Sequence, residues 1–187
     1  MRARRAWVVV DMTNDFVASD GALTCGEAGQ AIVAPLLLHL EQARDNDELI
    51  IFACDAHMGD DPEFSLWPVH CVAGTEGAAL YGDVRAFYER YRGERVRYMP
   101  KTRYDAFFET PLAQWLQEDN VTEVVVAGVC TSICCYATAS GAYYRRLSVL
   151  YDQQAMADLS DTAHQFAVQQ MTAVLKARPW QASEYTL

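Results

Sequence analysis

The sequence predicts an α/β protein: one doubly wound domain with a mostly parallel central sheet flanked by helices on both faces. Three observations carry that prediction. Strand-like and helix-like segments alternate along the whole chain. The strand segments, such as Val8-Val9-Val10, Leu49 to Cys54 and Val121 to Ala127, are apolar at consecutive positions rather than at every second one, as strands buried on both faces require. No internal repeat, low-complexity tract or linker divides the 187 residues, so residues 1–187 read as a single domain.

Each element has a local reason. Ala6 to Val10 is the first strand: the apolar stretch after the basic Met1-Arg2-Ala3-Arg4-Arg5 ends at Asp11, too soon for a secretory leader. Glu27 to Arg44 reads as a helix, Leu49 to Cys54 as a strand, and Asp55 to Gly77 as a loop rich in Asp, Gly and Pro. Ala79 to Tyr91 reads as a helix and Val96 to Met99 as a short strand. Pro111 to Glu118 is a helix with Thr110 as N-cap and Pro111 at the first helical position, where a missing N–H is harmless. Val121 to Ala127 is the most strongly patterned strand, and a helix follows it to about Arg145. Leu147 to Tyr151 is a further strand, and Asp161 to Ala177 a last helix capped by Ser160 or Asp161.

Composition narrows the function. Apolar residues make up 51% and charged residues 21%, ordinary globular usage, and no apolar run reaches membrane-spanning length. A net charge of −10 disfavours nucleic acid and anionic membranes as partners. With no leader expected, a cytoplasmic location follows, where the six cysteines are reduced thiols. Their spacing lacks the paired Cys-x-x-Cys sets of a structural zinc site.

In a doubly wound sheet the ligand site lies beyond the C-terminal strand ends. Asp11 ends the first predicted strand, Asp55 ends the second and is followed by His57, Lys101 follows the third, and Cys134 follows the fourth. The turn Gly128-Val129-Cys130-Thr131-Ser132-Ile133-Cys134-Cys135 leads from that strand into a helix. Thr131 and Ser132 are suited to cap the helix, and Cys134 falls in its first turn, where N–H groups and the helix dipole favour a thiolate. Asp11, Lys101 and Cys134 would then form a catalytic set: a nucleophilic sulfur, an ammonium that lowers its pKa, and a carboxylate that carries the proton. The N–H groups of Cys130 and Cys134 would serve as an oxyanion hole, worth about 3 kcal/mol per donor. This chemistry is acyl transfer from an amide. The turn alone also admits cysteines that merely pack.

A second constellation occupies the loop. Asp55, His57, Glu63 and His70 bring two imidazoles and two carboxylates into 16 residues, an N/O set suited to zinc, manganese or iron. His39 and His164 lie on predicted helices and read as surface or packing residues, and Asp60-Asp61 as a solvated acidic pair.

Four separated motifs resemble one known family. Val10-Asp11-Met12-Thr13-Asn14-Asp15-Phe16, Asp55-Ala56-His57, Trp67-Pro68-Val69-His70-Cys71 and Lys101-Thr102-Arg103-Tyr104-Asp105, followed by the cysteine turn, are similar to the isochorismatase-like cysteine hydrolases, and among them the nicotinamidases. The resemblance implies hydrolysis of nicotinamide to nicotinate and ammonia, a step of NAD salvage, through a Cys thioester. It implies the triad Asp11, Lys101 and Cys134 and the metal ligands Asp55, His57 and His70, with Glu63 as a fourth, seven residues before His70. The cofactor so implied is a divalent metal ion, zinc first, with manganese or iron as alternatives, holding the pyridine nitrogen. It implies Phe16, Trp67 and Tyr104 as ring-binding aromatics, a cis peptide between Val129 and Cys130, and a homo-oligomer as the assembled form. Ser132 stands where the family usually has Asp, and Cys135 where it usually has Val. A relative acting on another small amide, such as an N-carbamoyl compound or pyrazinamide, is the alternative, and a non-catalytic binding or redox protein is the more distant one.

Overall fold

The computed structural model describes residues 4–185; the first three residues of the basic N-terminal stretch lie outside them. Six strands form one parallel sheet: β1 (Arg5–Val10), β2 (Leu49–Asp55), β3 (Val96–Lys101), β4 (Glu123–Gly128), β5 (Ser148–Met156) and the two-residue β6 (Arg178–Pro179). Their order is β3-β2-β1-β4-β5-β6. Winding reverses between β1 and β4, and the crevice outside the carboxyl ends of those two strands is where such sheets bind ligands.

The apolar strands build two cores because successive side chains point to opposite faces. Trp7, Val9, Ile50, Phe52 and Val125 pack with Leu36, Leu40, Val84 and Phe87 on one face. Those four partners come from α3 (Val33–Asp45) and α4 (Gly82–Tyr91). Ala6, Val8, Ile51, Val124 and Val126 pack on the other with Leu112, Leu116, Ala139 and Met171, from α5 (Leu112–Glu118), α6 (Tyr136–Tyr144) and α7 (Asp161–Ala173). Each fully buried Val, Leu or Ile contributes about 1.5–3 kcal/mol. Among the described residues no helix is long and apolar enough to cross a membrane.

Several boundaries differ from the sequence reading, each for a local reason. The helix expected over Glu27 to Arg44 is two, α2 (Gly26–Ala31) and α3, broken at Ile32. Pro35 cannot donate to the carbonyl four residues back, and its ring crowds that carbonyl, so one helix cannot run through. α4 starts at Gly82, because residues 79–81 instead hydrogen-bond the segment after β1, through Asn14 N to Ala79 O and Tyr81 N to Met12 O. That segment forms a short helix, α1 (Asn14–Val17), not foreseen. Pro111, not Thr110, occupies the N-cap of α5; the Thr110 hydroxyl donates to Ala106 O and accepts from Leu112 N at 3.4 Å. β5 runs five residues past the expected Tyr151, and α7 stops at Ala173.

Gly128 is the tightest joint. Its φ is +108°, and a Cβ there would run into the Val10 backbone carbonyl. A Gly128→Ala variant is expected to lose about 3 kcal/mol or more, lowering Tm by roughly 6–12 °C. Thermal unfolding followed by circular dichroism checks this.

Candidate active site

The cysteine turn follows directly from that joint. β4 ends at Gly128, the Val129–Cys130 peptide is cis, and Thr131–Cys135 form one π-helical turn that runs into α6. The expected capping by Thr131 and Ser132 side chains does not occur. The Thr131 hydroxyl donates to Ala157 O at 3.0 Å and pairs with His164 Nδ1 at 2.8 Å. The free N–H of Ser132 is taken instead by the Asp158 carboxylate at 2.6 Å. Thr131 N donates to Ala157 O and Ala157 N to Gly128 O, so the segment after β5 is zipped onto the turn. A cap supplied from 26 residues away has no local signature, and for that reason Asp158 was not found from the sequence.

Three side chains from different strands meet below this turn. Asp11 follows β1 in the left-handed region, φ 52°, and Asp tolerates this better than most residues. Its Oδ1 accepts the Asp55 N–H at 2.7 Å, and its Oδ2 accepts from Lys101 Nζ at 2.8 Å. Lys101 also donates to Asp55 Oδ1 at 2.5 Å. Donor atoms of Asp11, Asp55 and Cys134 lie within 4.8 Å of one another. The predicted set therefore assembles, with Asp55 as an unpredicted second partner of the lysine.

Electrostatics at the site pull in opposite directions. Burial pushes the Cys134 thiol well above its usual pKa, against the attraction of Lys101. The ammonium already faces two carboxylates, and a thiolate would be a third buried anion beside a single cation. Burial and the nearby Asp55 charge raise Asp11 to about 6, with Lys101 pulling the other way. Burial works against the Lys101 ammonium, but Asp11, Cys134 and Asp55 together hold its pKa well above normal.

The second constellation also converges, in part. Asp55 Oδ2 lies 3.5 Å from His57 Nε2 and 3.9 Å from His70 Nε2, and the three residues' donor atoms lie within 4.8 Å of one another. His70 Nδ1 is bonded to Pro68 O at 2.8 Å and His57 Nδ1 to Asp61 Oδ2 at 3.0 Å. His57 Nε2 is buried without a hydrogen-bond partner. Burial opposes a charged His57, yet the Asp55 and Asp61 carboxylates prevail and push its pKa up to about 9. The space between these side chains calls for positive charge, and a divalent cation with N/O ligands meets that call. Glu63 is not grouped with Asp55 and His70; it lines the pocket and groups with His57 and Asp61. Asp61 is no solvated acid: the Glu63 N–H and His57 hold its carboxyl down at about 2. Asp15, another residue given no role from the sequence, accepts the Cys71 N–H at 2.6 Å and so tethers the segment that carries His70.

A pocket partly open to solvent links both sets, lined by Cys130 and Cys134 together with Asp55, Glu63 and His70. Phe16, Trp67 and Tyr104 line it as expected, joined by Leu23, Ile133 and Leu159. Trp67 Nε1 donates to the Tyr104 hydroxyl at 2.9 Å, and Phe16 meets His70 edge-on at 5.5 Å. The walls suit a small flat ring. Cys135 is fully buried in the core. His39 is buried as well, bonded to Asp152 at 2.5 Å.

Known proteins resemble this chain in sequence and fold. An uncharacterized isochorismatase family protein of Bacillus subtilis is 40% identical over 169 residues, covering 88% of this chain and 92% of its own. A pyrazinamidase/nicotinamidase from Streptococcus mutans superposes with a TM-score of 0.91 at 40% identity, over 94% of this chain and 99% of that one. A pyrazinamidase of Pyrococcus horikoshii, solved in complex with zinc, superposes with a TM-score of 0.85 at 26% identity, over 95% and 99%. Fold, pocket and relatives together define a hydrolase of amide C–N bonds built on a doubly wound parallel sheet. The Isochorismatase domain model matches residues 5–179, and the chain belongs to the isochorismatase family.

Proposed function

We propose that this protein is a nicotinamidase, hydrolysing nicotinamide to nicotinate and ammonia. The observation that carries the reading is one pocket lined by Cys134, Asp55 and His70, in which Asp55 groups with Asp11 and Cys134 on one side and with His57 and His70 on the other. The relatives named for nicotinamide and pyrazinamide support the choice of substrate.

In this mechanism the Cys134 sulfur attacks the carboxamide carbon while its proton passes to Asp11. The oxygen that gains charge is received by the N–H groups of Cys130 and Cys134. Asp11 then protonates the nitrogen, the C–N bond breaks, ammonia leaves and a thioester remains. Water, deprotonated by Asp11, adds to the acyl carbon; the C–S bond breaks and the acid departs with the thiol restored. Lys101 holds Asp11 in place and favours its ionised form whenever Asp11 is to accept a proton. Asp55, His57 and His70 would hold a divalent cation, zinc by the donor types, with Glu63 as the further ligand from the pocket wall. The cation, when bound, supplies a Lewis-acid contact for the pyridine nitrogen.

The test is ammonia release from nicotinamide by protein of measured metal content. Nicotinamide is expected to turn over, benzamide, which lacks the ring nitrogen, at least about 100-fold more slowly, and chelation to remove most activity. Equal turnover of benzamide, or turnover only of an N-carbamoyl compound, would overturn the assignment.

A further inference from the structure

A neutral imidazole carries one proton, and only its other nitrogen can ligate a cation. What holds the proton on Nδ1 therefore decides whether Nε2 is available. For His70 that partner is a backbone carbonyl, Pro68 O. For His57 it is a side chain: Asp61 Oδ2, at 3.0 Å. The other oxygen of the same carboxylate, Oδ1, accepts the Glu63 N–H at 2.9 Å and caps the 3-10 turn Pro62–Ser65. Arg103, two residues past Lys101, reaches Asp61 at 3.3 Å and Glu63 at 3.6 Å from outside.

We infer that Asp61 is a positioning residue for the cation site: it fixes His57 in the tautomer whose Nε2 faces Asp55 and His70, and through its cap it sets Glu63 at the pocket wall. The inference rests on the cation reading given above. Asparagine at 61 makes the dependence testable. With its carbonyl oxygen on the Glu63 N–H, its amide N–H₂ faces His57 Nδ1, which then becomes the acceptor; the proton moves to Nε2 and blocks it.

The experiment is a Zn²⁺ titration of metal-stripped protein against a chromophoric chelator, with the melting temperature of each metal-free form alongside. Asp61→Asn is expected to bind Zn²⁺ 10–100-fold more weakly than the unaltered protein, with a cooperative metal-free melting transition showing that the fold is kept. Arg103→Met, which leaves the Asp61–His57 bond intact, should stay within about threefold for Zn²⁺, the size of one screened exposed charge. Should Asp61→Asn fail to fold, Asp61→Ser carries the same comparison, since its hydroxyl still caps the turn. Unchanged Zn²⁺ affinity on replacing Asp61 would overturn the inference alone, as would an equal loss in Arg103→Met, which would mean that charge rather than tautomer is responsible. Absence of Zn²⁺ binding by the unaltered protein would instead remove the cation site itself, and this inference with it.

Discussion

Replacing Cys134 by serine is expected to lower ammonia release from nicotinamide by roughly 10⁴-fold or more, the scale seen when a nucleophile is removed. The fold should survive. Cys134 is 5% exposed and sits in the core beside Cys135 and Ala139, and the hydroxyl of serine occupies nearly the same space as the thiol. The melting temperature should therefore move by only a few degrees, about 1 kcal/mol at this chain length. Burial pushes the Cys134 thiol up, and in the proposed mechanism its proton passes to Asp11 as the carbon–sulfur bond forms. Serine, a far weaker acid than cysteine, cannot make that transfer with a carboxylate as acceptor. A coupled assay for ammonia and a thermal melt read the two effects separately. Turnover within tenfold of the unaltered protein would remove the thioester from the mechanism.

Lys101→Met is expected to do the opposite kind of damage, to stability and activity together. Lys101 is fully buried between Asp11 and Asp55 at 2.8 and 2.5 Å. Methionine fills much the same volume but leaves two buried carboxylates with no cation. Breaking a buried pair in this way costs about 3–5 kcal/mol, or roughly 6–20 °C in Tm for a chain of this size. Two compensations follow. Asp55→Asn in the Lys101→Met background removes one of the stranded charges, so the double variant should melt above the single one, a coupling that a double-mutant cycle measures. Zn²⁺ should also raise the melting temperature of Lys101→Met more than that of the unaltered protein, because the cation would neutralise the Asp55 charge left uncompensated. Equal stability of Lys101→Met and its parent would mean that the ammonium is not what holds the two carboxylates.

Much of this was legible because it is local. Val8-Val9-Val10 and Val124-Val125-Val126 are apolar at every position, and only strands covered on both faces bury such a run. Asp11, Asp55, Lys101 and Cys134 could be placed on one rim because each stands at the end of a strand whose direction the βα alternation sets. The misreadings share a cause. Thr131 and Ser132 have the composition of a cap, yet Asp158 takes the Ser132 N–H. Asp61 looks like a solvated acid beside Asp60, yet it holds His57. Both roles depend on a partner that the folded chain delivers, not on the flanking residues.

The sequence alone determined the alternation of elements, the parallel sheet and the identity of the reactive side chains, since backbone propensity and apolar patterning act over a few residues. Tertiary structure alone decided the electrostatic surroundings of the site. One ammonium is shared by two carboxylates, with every group out of water, and burial pushes the Cys134 thiol up. That outcome depends on desolvation and on distances of a few ångströms between strands far apart in the chain, where the low dielectric makes each charge felt by all the others.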